Sequence, residues 1–236
     1  MSTAVAFPAS RPRPVASWRH SVTLLGSFAV VAALGALFQH RSVAAPSTGH
    51  PHVIPIYAQL LVMEWALFFF VWKRGLATTG TSLRQLIGGH WDSPRAVVGD
   101  LALAAGLLGA WKLAAPLLNR VIGPDHAASI VAYLPQGTAE SVLWLALSLS
   151  AGFCEEIVFR GYFQRQFAAW TGSQTAAVIL QSILFGVLHG YQGVAACARI
   201  ACFGAFYGVV AVWRRNLRPG MVAHAMTDIL SGIFRA

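Results

Sequence analysis

Apolar positions in this chain fall into long runs with short polar punctuation between them. The runs cover 21–38, 53–72, 94–118, 139–163, 173–188, 194–213 and 219–234. A helix needs about 20 apolar residues to span the hydrocarbon core, and most of these runs approach that length. The second run is closed by Lys73-Arg74. The segment 75–93 is Gly/Thr rich and holds one short amphipathic stretch, 82–87, suited to lie along the interface. Pro- and His-containing residues fill 39–52, and a Gly/Pro/Asp loop fills 119–138. The pattern predicts an all-α, polytopic transmembrane helix bundle of about seven to eight helices. Its expected parts are a disordered Pro/Ser/Arg-rich tail over 1–20, N-terminal transmembrane helices over 21–138, and a second set of helices over 139–236. No internal repeat is visible.

Composition agrees with a lipid-facing exterior. The chain is 56% hydrophobic and 11% charged, against about 25% charged for a soluble domain. Mean hydropathy is +0.60, so polar surface is too scarce to cover a water-facing globule. The net charge of +9 does not indicate nucleic acid, because the basic residues sit between apolar runs rather than in one tract. That placement fits topology information and contact with anionic lipid. Cys154, Cys197 and Cys202 form no CxxC and lie in apolar surroundings, which makes them small core residues. Ala44-Ala45 is a weak candidate for signal cleavage, so the first run is expected to be retained.

Charge asymmetry orients the bundle. With the N-terminus inside, the inner segments hold Arg11, Arg13, Arg19, Lys73, Arg74, Arg84, Arg95, Arg160, Arg165, Arg214, Arg215 and Arg218. The outer segments hold Arg41, Arg120 and Arg235, while Lys112 and Arg199 fall within apolar runs. Twelve against three predicts an integral protein of an inner or plasma membrane with a cytoplasmic N-terminus.

Three late runs carry ionisable residues, which cost at least about 2.5 kcal/mol each inside a membrane. In Cys154-Glu155-Glu156-Ile157-Val158-Phe159-Arg160, Glu156 and Arg160 share a helix face at i, i+4. Glu155 points about 100° away, so one acid is tied down and one is free. A solvated Glu–Arg pair at a helix end is the competing reading. In Phe185-Gly186-Val187-Leu188-His189, Phe185 lies one turn before His189 and can pack on its ring. Alone, such a histidine is equally an interface residue. In the last run His224 and Asp228 share a face, either as a structural hydrogen bond or as site groups. Arg199 and Lys112 would line a shared cavity or snorkel. Together these runs supply a free carboxylate, two imidazoles and one more acid. A carboxylate with an imidazole activates water, and further polar groups stabilise the oxyanion of amide hydrolysis. No serine stands in a GxSxG context, and Ser182 has no evident triad.

At these residues the sequence resembles the CPBP family of intramembrane proteases (CAAX prenyl protease type II and bacteriocin-processing enzymes). The family motifs EExxxR, FxxxH and HxxxN/D read here as Glu155-Glu156-x-x-x-Arg160, Phe185-x-x-x-His189 and His224-x-x-x-Asp228, in order, and FRGYF also fits. The likeness covers about 140–234. It implies a glutamic-type endopeptidase in which Glu155 activates the attacking water with help from His189. It also implies that Glu156 and Arg160 orient the site and that His224 and residue 228 stabilise the oxyanion. Asp228 departs from the Asn of many members, and Asp donates a hydrogen bond only when protonated. No cofactor is expected. The alternative is zinc held by Glu155, His189, His224 and Asp228. The expected partner is a membrane-anchored protein or peptide substrate within the lipid bilayer, with no nucleic acid. A non-catalytic scaffold or immunity-type protein and a proton-coupled transporter remain the rival classes. A Cys154 thiol protease is disfavoured by the two adjacent acids.

Overall fold

Every apolar run folds as helix. The computed structural model describes residues 12–44, 51–123 and 131–234. Its order begins with α1 (Trp18–Ala44) and α2 (Val53–Phe70), the latter extended by a π turn at Val71–Gly75 and a 3-10 turn at Leu76–Thr78. Next come α3 (Leu83–Ile87) and α4 (Pro94–Ile122). The chain then forms α5 (Thr138–Thr171), α6 (Gln174–Leu188), a 3-10 turn at Gly190–Gln192, α7 (Val194–Arg214) and α8 (Arg218–Ile233). No strand occurs among the described residues. Helices α1, α2 with its extension, α4, α5 and α7 are long and apolar enough to cross a bilayer, so the chain is an integral membrane protein and an all-α bundle.

Local chemistry sets the element ends. Ser82 accepts from the Gln85 backbone while the Gln85 side chain returns to Ser82 N, a reciprocal cap that starts α3. Gly88, left-handed at φ 98°, stops it. Its missing Cβ also lets the Arg215 backbone lie against it. Ser93 caps α4 with Pro94 in the first turn. Gly172 and the Ser173 cap separate α5 from α6.

Two expected boundaries move. The run expected to end near 163 continues as helix to Thr171. Its polar end is buried because amides find partners there: Gln164 Nε2 donates to Gly208 O at 3.0 Å. The expected disordered tail over 1–20 does not hold for 12–20. Val15 and Ala16 are buried, and Gln166 Oε1 accepts from their amides at 3.0 and 3.2 Å while Nε2 donates to Ala16 O at 3.1 Å. A composition typical of disorder thus hides two apolar residues that dock into a polar socket on α5. His20 Nδ1 and Ser21 Oγ meet the Tyr162 hydroxyl at 2.7 and 2.8 Å. Residues 1–11, with Arg11, lie outside the described residues, as do Arg235 and the Arg41 side chain.

Most basic residues gather at one end. Ser17 N donates to Thr78, Arg165 donates to the Gln85 and Leu86 carbonyls, and Leu217 N donates to Ile87 O. These bonds tie the start of α1, α3, the end of α5 and the α7–α8 turn into one layer. Asp100 clamps the same layer, with its carboxylate taking Trp91 Nε1, Asn216 Nδ2 and Arg218 Nε. Lys73 lies over Trp72 and Arg218 over Trp91, the aromatic–cation arrangement of a membrane interface. Arg160 does not belong to this layer. It is buried in the bundle and carries no topology information, so it leaves the inner tally of basic residues. Arg199 donates to Gly123 O at 2.9 Å and covers the end of α4. Cys154 is buried, but Cys202 is exposed on α7 rather than in the core.

Helix α5 is the axis of the bundle. Over half of its apolar window is buried (56%), against 11% for peripheral α4. Ile157, Val158, Tyr162 and Phe163 are almost wholly enclosed. Helices α6 and α8 have only 15 and 16 residues. At 1.5 Å per residue they fall short of a core about 30 Å thick, so their far ends lie within the apolar layer, walled by longer helices. Replacing Gln166 with Leu removes three hydrogen bonds to 15–16. The expected cost is about 1–3 kcal/mol, read as faster hydrogen–deuterium exchange at 12–20 with the amides of α6 unchanged.

Candidate active site

Two neighbouring acids on α5 receive different environments because the helix changes its winding between them. Glu155 ends the regular α segment, and a π-helical stretch runs from Glu156 to Phe163. Such widened turns favour functional positions, since they re-aim side chains at the cost of poorer backbone bonding. The Glu155 side chain is 22% exposed and that of Glu156 only 1%.

Glu156 is the junction of the site. Its Oε1 lies 3.1 Å from Arg160 Nη1 and 3.0 Å from His224 Nδ1. With side-chain exposures of 0% and 1%, Arg160 and Glu156 cannot be a solvated pair at a helix end. The guanidinium stacks over Phe185 at 4.4 Å, a cation–π contact that compensates part of its lost hydration. An ionised Glu156 only accepts hydrogen bonds, so His224 Nδ1 is the donor. That locks the ring orientation and turns Nε2 outward. Nε2 lies 3.6 Å from Glu155 Oε2 and 3.6 Å from Asp228 Oδ2, whose side chain is 34% exposed. One imidazole therefore stands between two half-open carboxyls, with a closed ion pair behind it.

His189 follows the last turn of short α6. Its Nδ1 lies 2.8 Å from the Phe185 carbonyl, so that nitrogen donates and Nε2 is left as an acceptor. The ring meets Phe185 edge-on at 4.9 Å, the packing expected from the four-residue spacing. His189 lies within electrostatic range of His224 and Arg160. No hydrogen bond or ion pair joins it to Glu155 among the described residues. Phe185 thus supports three groups, namely the Arg160 guanidinium, His189 and, at 6.1 Å, His224.

Close helix approach makes the cluster possible. A Cβ on Gly152 would sit 2.7 Å from Met221 O, so only glycine lets α8 pack this tightly on α5. Gly220 lies beside Glu156, where a Cβ would come within 3.2 Å of Oε2. Farther along, Trp144 Nε1 donates to Asp228 O at 2.9 Å, and its ring meets Tyr57 of α2 edge-on at 5.4 Å. This ties α2, α5 and α8 together at the rim.

One acid near the cluster lies outside the three motif-bearing runs. Glu64 on α2 is 9% exposed. Its carboxyl has Ser150 beside it and lies within electrostatic reach of Glu155, Asp228 and His224. Glu64 is the sole Asp, Glu, Lys or Arg in the run 53–72, a signal that intramembrane charge is costly and kept for a reason. Among the described residues no group of three or more His, Cys, Asp or Glu side chains is arranged to hold a metal ion.

Residues 137–230 match the family model described as Type II CAAX prenyl endopeptidase Rce1-like. The matched segment contains Glu155, Glu156, Arg160, His189, His224 and Asp228. No curated protein and no solved structure matches the chain. The geometry predicts unequal stability effects for the adjacent acids. Glu156→Ala strands a buried guanidinium and costs about 3–5 kcal/mol. Glu155→Gln, at the half-open position, stays within about 0.5 kcal/mol. Thermal unfolding of both variants in the same detergent checks the contrast.

Proposed function

We propose that this chain, whose residues 137–230 form a Rce1-like domain consistent with the CPBP membrane protease family, is an intramembrane endopeptidase. In this reading it hydrolyses peptide bonds of membrane-associated substrates with a glutamate-activated water. The observation that carries the reading is the arrangement at His224: Nδ1 locked by Glu156 at 3.0 Å, and Nε2 between Glu155 and Asp228 at 3.6 Å each. A purely structural network would close on itself, whereas this one leaves two carboxyls half open.

The chemistry assigns one role to each group. Glu155 takes a proton from water as the oxygen attacks the scissile carbonyl, and the Nε2 acceptor of His189 orients that water. Carbonyl π electrons move onto oxygen, and the oxyanion is met by His224 Nε2–H. Because Nδ1 donates to Glu156, Nε2 carries a proton only in the imidazolium form, which the Glu156 carboxylate stabilises. Asp228 serves as a carboxylic acid, the only form of it that donates. The C–N bond then breaks, and Glu155 returns its proton to the leaving amine. Glu156 and Arg160 are positioning residues. No cofactor is invoked, since a carboxylate and an imidazole suffice for water activation.

The basic layer is assigned to the cytoplasmic side by the positive-inside bias, with the N-terminus in the same compartment. In a cysteine-free background, an impermeant thiol reagent is expected to reach a cysteine at Gly137 on intact cells. A cysteine at Ser82 should react only after permeabilisation, and the reverse pattern would invert the topology. For activity, purified protein in nanodiscs should cleave a membrane-anchored peptide. Glu155→Gln should lower turnover by about 10²-fold or more with the unfolding temperature preserved. Full turnover in that variant would remove Glu155 from the mechanism.

A further inference from the structure

A pocket with more acid than base selects for what enters it. Glu156 is matched inside the protein by Arg160 and His224. Glu155 and Asp228 share the remaining nitrogen of one imidazole. Glu64 has no such match. Its Oε2 is buried without a hydrogen-bond partner, and no Lys or Arg is paired with it among the described residues. The residue is nine-tenths buried on α2, beside Ser150 and within electrostatic reach of the half-open carboxyls of Glu155 and Asp228.

Helix geometry brings these groups to a similar level of the bundle. Side chains on an α-helix lean toward its N-terminus. Glu155, five residues beyond Ser150, therefore projects back toward the level at which Ser150 and Glu64 stand. Trp144 links Tyr57 of α2 with the Asp228 carbonyl of α8 about two turns farther out. The Glu64 carboxyl thus lies buried beside the half-open groups, within their electrostatic reach. An unpaired carboxylate in a medium this poor in water is expensive unless a donor arrives. A cation on the ligand supplies one, and it also offsets the excess of carboxyl groups.

We propose that Glu64 is a specificity-determining residue that receives a basic side chain, Lys or Arg, of a peptide bound in the pocket. Resting on the peptidase reading, this side chain lies close to the scissile bond. Glu64 contacts the bound peptide without taking part in bond breaking.

The test separates recognition from hydrolysis. Two membrane-anchored peptides, alike except for Lys or norleucine flanking the scissile bond, are bound to the Glu155→Gln protein in nanodiscs and followed by fluorescence anisotropy. The same pair serves as substrates for the active protein. The Lys peptide is expected to bind about 10-fold or more tightly than its neutral twin. A second substitution, Glu64→Gln, should bring the ratio of affinities to about one. Glu64→Asp, which keeps the charge, should retain a preference that Gln loses, which a merely structural role would not produce. Equal binding of the two peptides, or a ratio unmoved by Glu64→Gln in protein of unchanged unfolding temperature, overturns the proposal. Hydrolysis without Lys preference removes only the Glu64 role. Lys-dependent binding without hydrolysis in the active protein removes the peptidase reading and leaves the cation site standing.

Discussion

Burying a guanidinium in the middle of an apolar bundle is the constraint on which the other contacts turn. Arg160 has no exposed side-chain surface, and its nitrogens lack hydrogen-bond partners among the described residues, so the cost of taking it from water is offset in part, in three places. Glu156 supplies opposite charge, Phe185 supplies a ring face at 4.4 Å, and the helices close around both. Because Glu156 also holds His224 Nδ1, the charge that compensates Arg160 orients the imidazole at the pocket. Stability and site geometry therefore share one carboxylate. Its neighbour Glu155, one residue earlier and across the change from α to π winding, is left half open.

Helix lengths and glycines convert that network into a pocket. Short α6 brings His189 down among longer helices, and short α8 carries His224 and Asp228 to the same region. Gly152 lets α8 lie close enough to α5 for His224 Nδ1 to reach Glu156. At the basic end, Asp100 gathers Trp91, Asn216 and Arg218 and fixes the turn from which α8 starts. The His224–Glu156 contact is thus set from both sides, by close packing along α8 and by a polar clamp at its origin.

Legibility followed the physics of each feature. Spans were readable because lipid demands unbroken apolar helix, and the i, i+4 pairs were readable because helix geometry repeats. The order of 12–20 is not legible locally because Pro and Arg dominate its composition, while two small apolar residues and a distant glutamine decide its fate. Arg160 resembles a topology charge in sequence because nothing local separates a flanking arginine from an interior one. The continuation of α5 to Thr171 was hidden because buried glutamines look like solvent-facing ones until their partners are known. Glu64 left a trace, a single acid in an apolar run, but its neighbours lie about ninety residues or more away in the chain.

The sequence by itself determined that this is a polytopic helical membrane protein. It placed Glu155, Glu156, Arg160, His189, His224 and Asp228 on particular helices, because periodicity and the cost of intramembrane charge act locally. Tertiary structure alone decided that Glu156 serves both Arg160 and His224. It also decided that Glu155 and Asp228 flank one nitrogen and that Glu64 lies within electrostatic reach of them. Those are distances between helices, set by where glycine permits contact and where a buried charge requires a partner, and no local pattern encodes them.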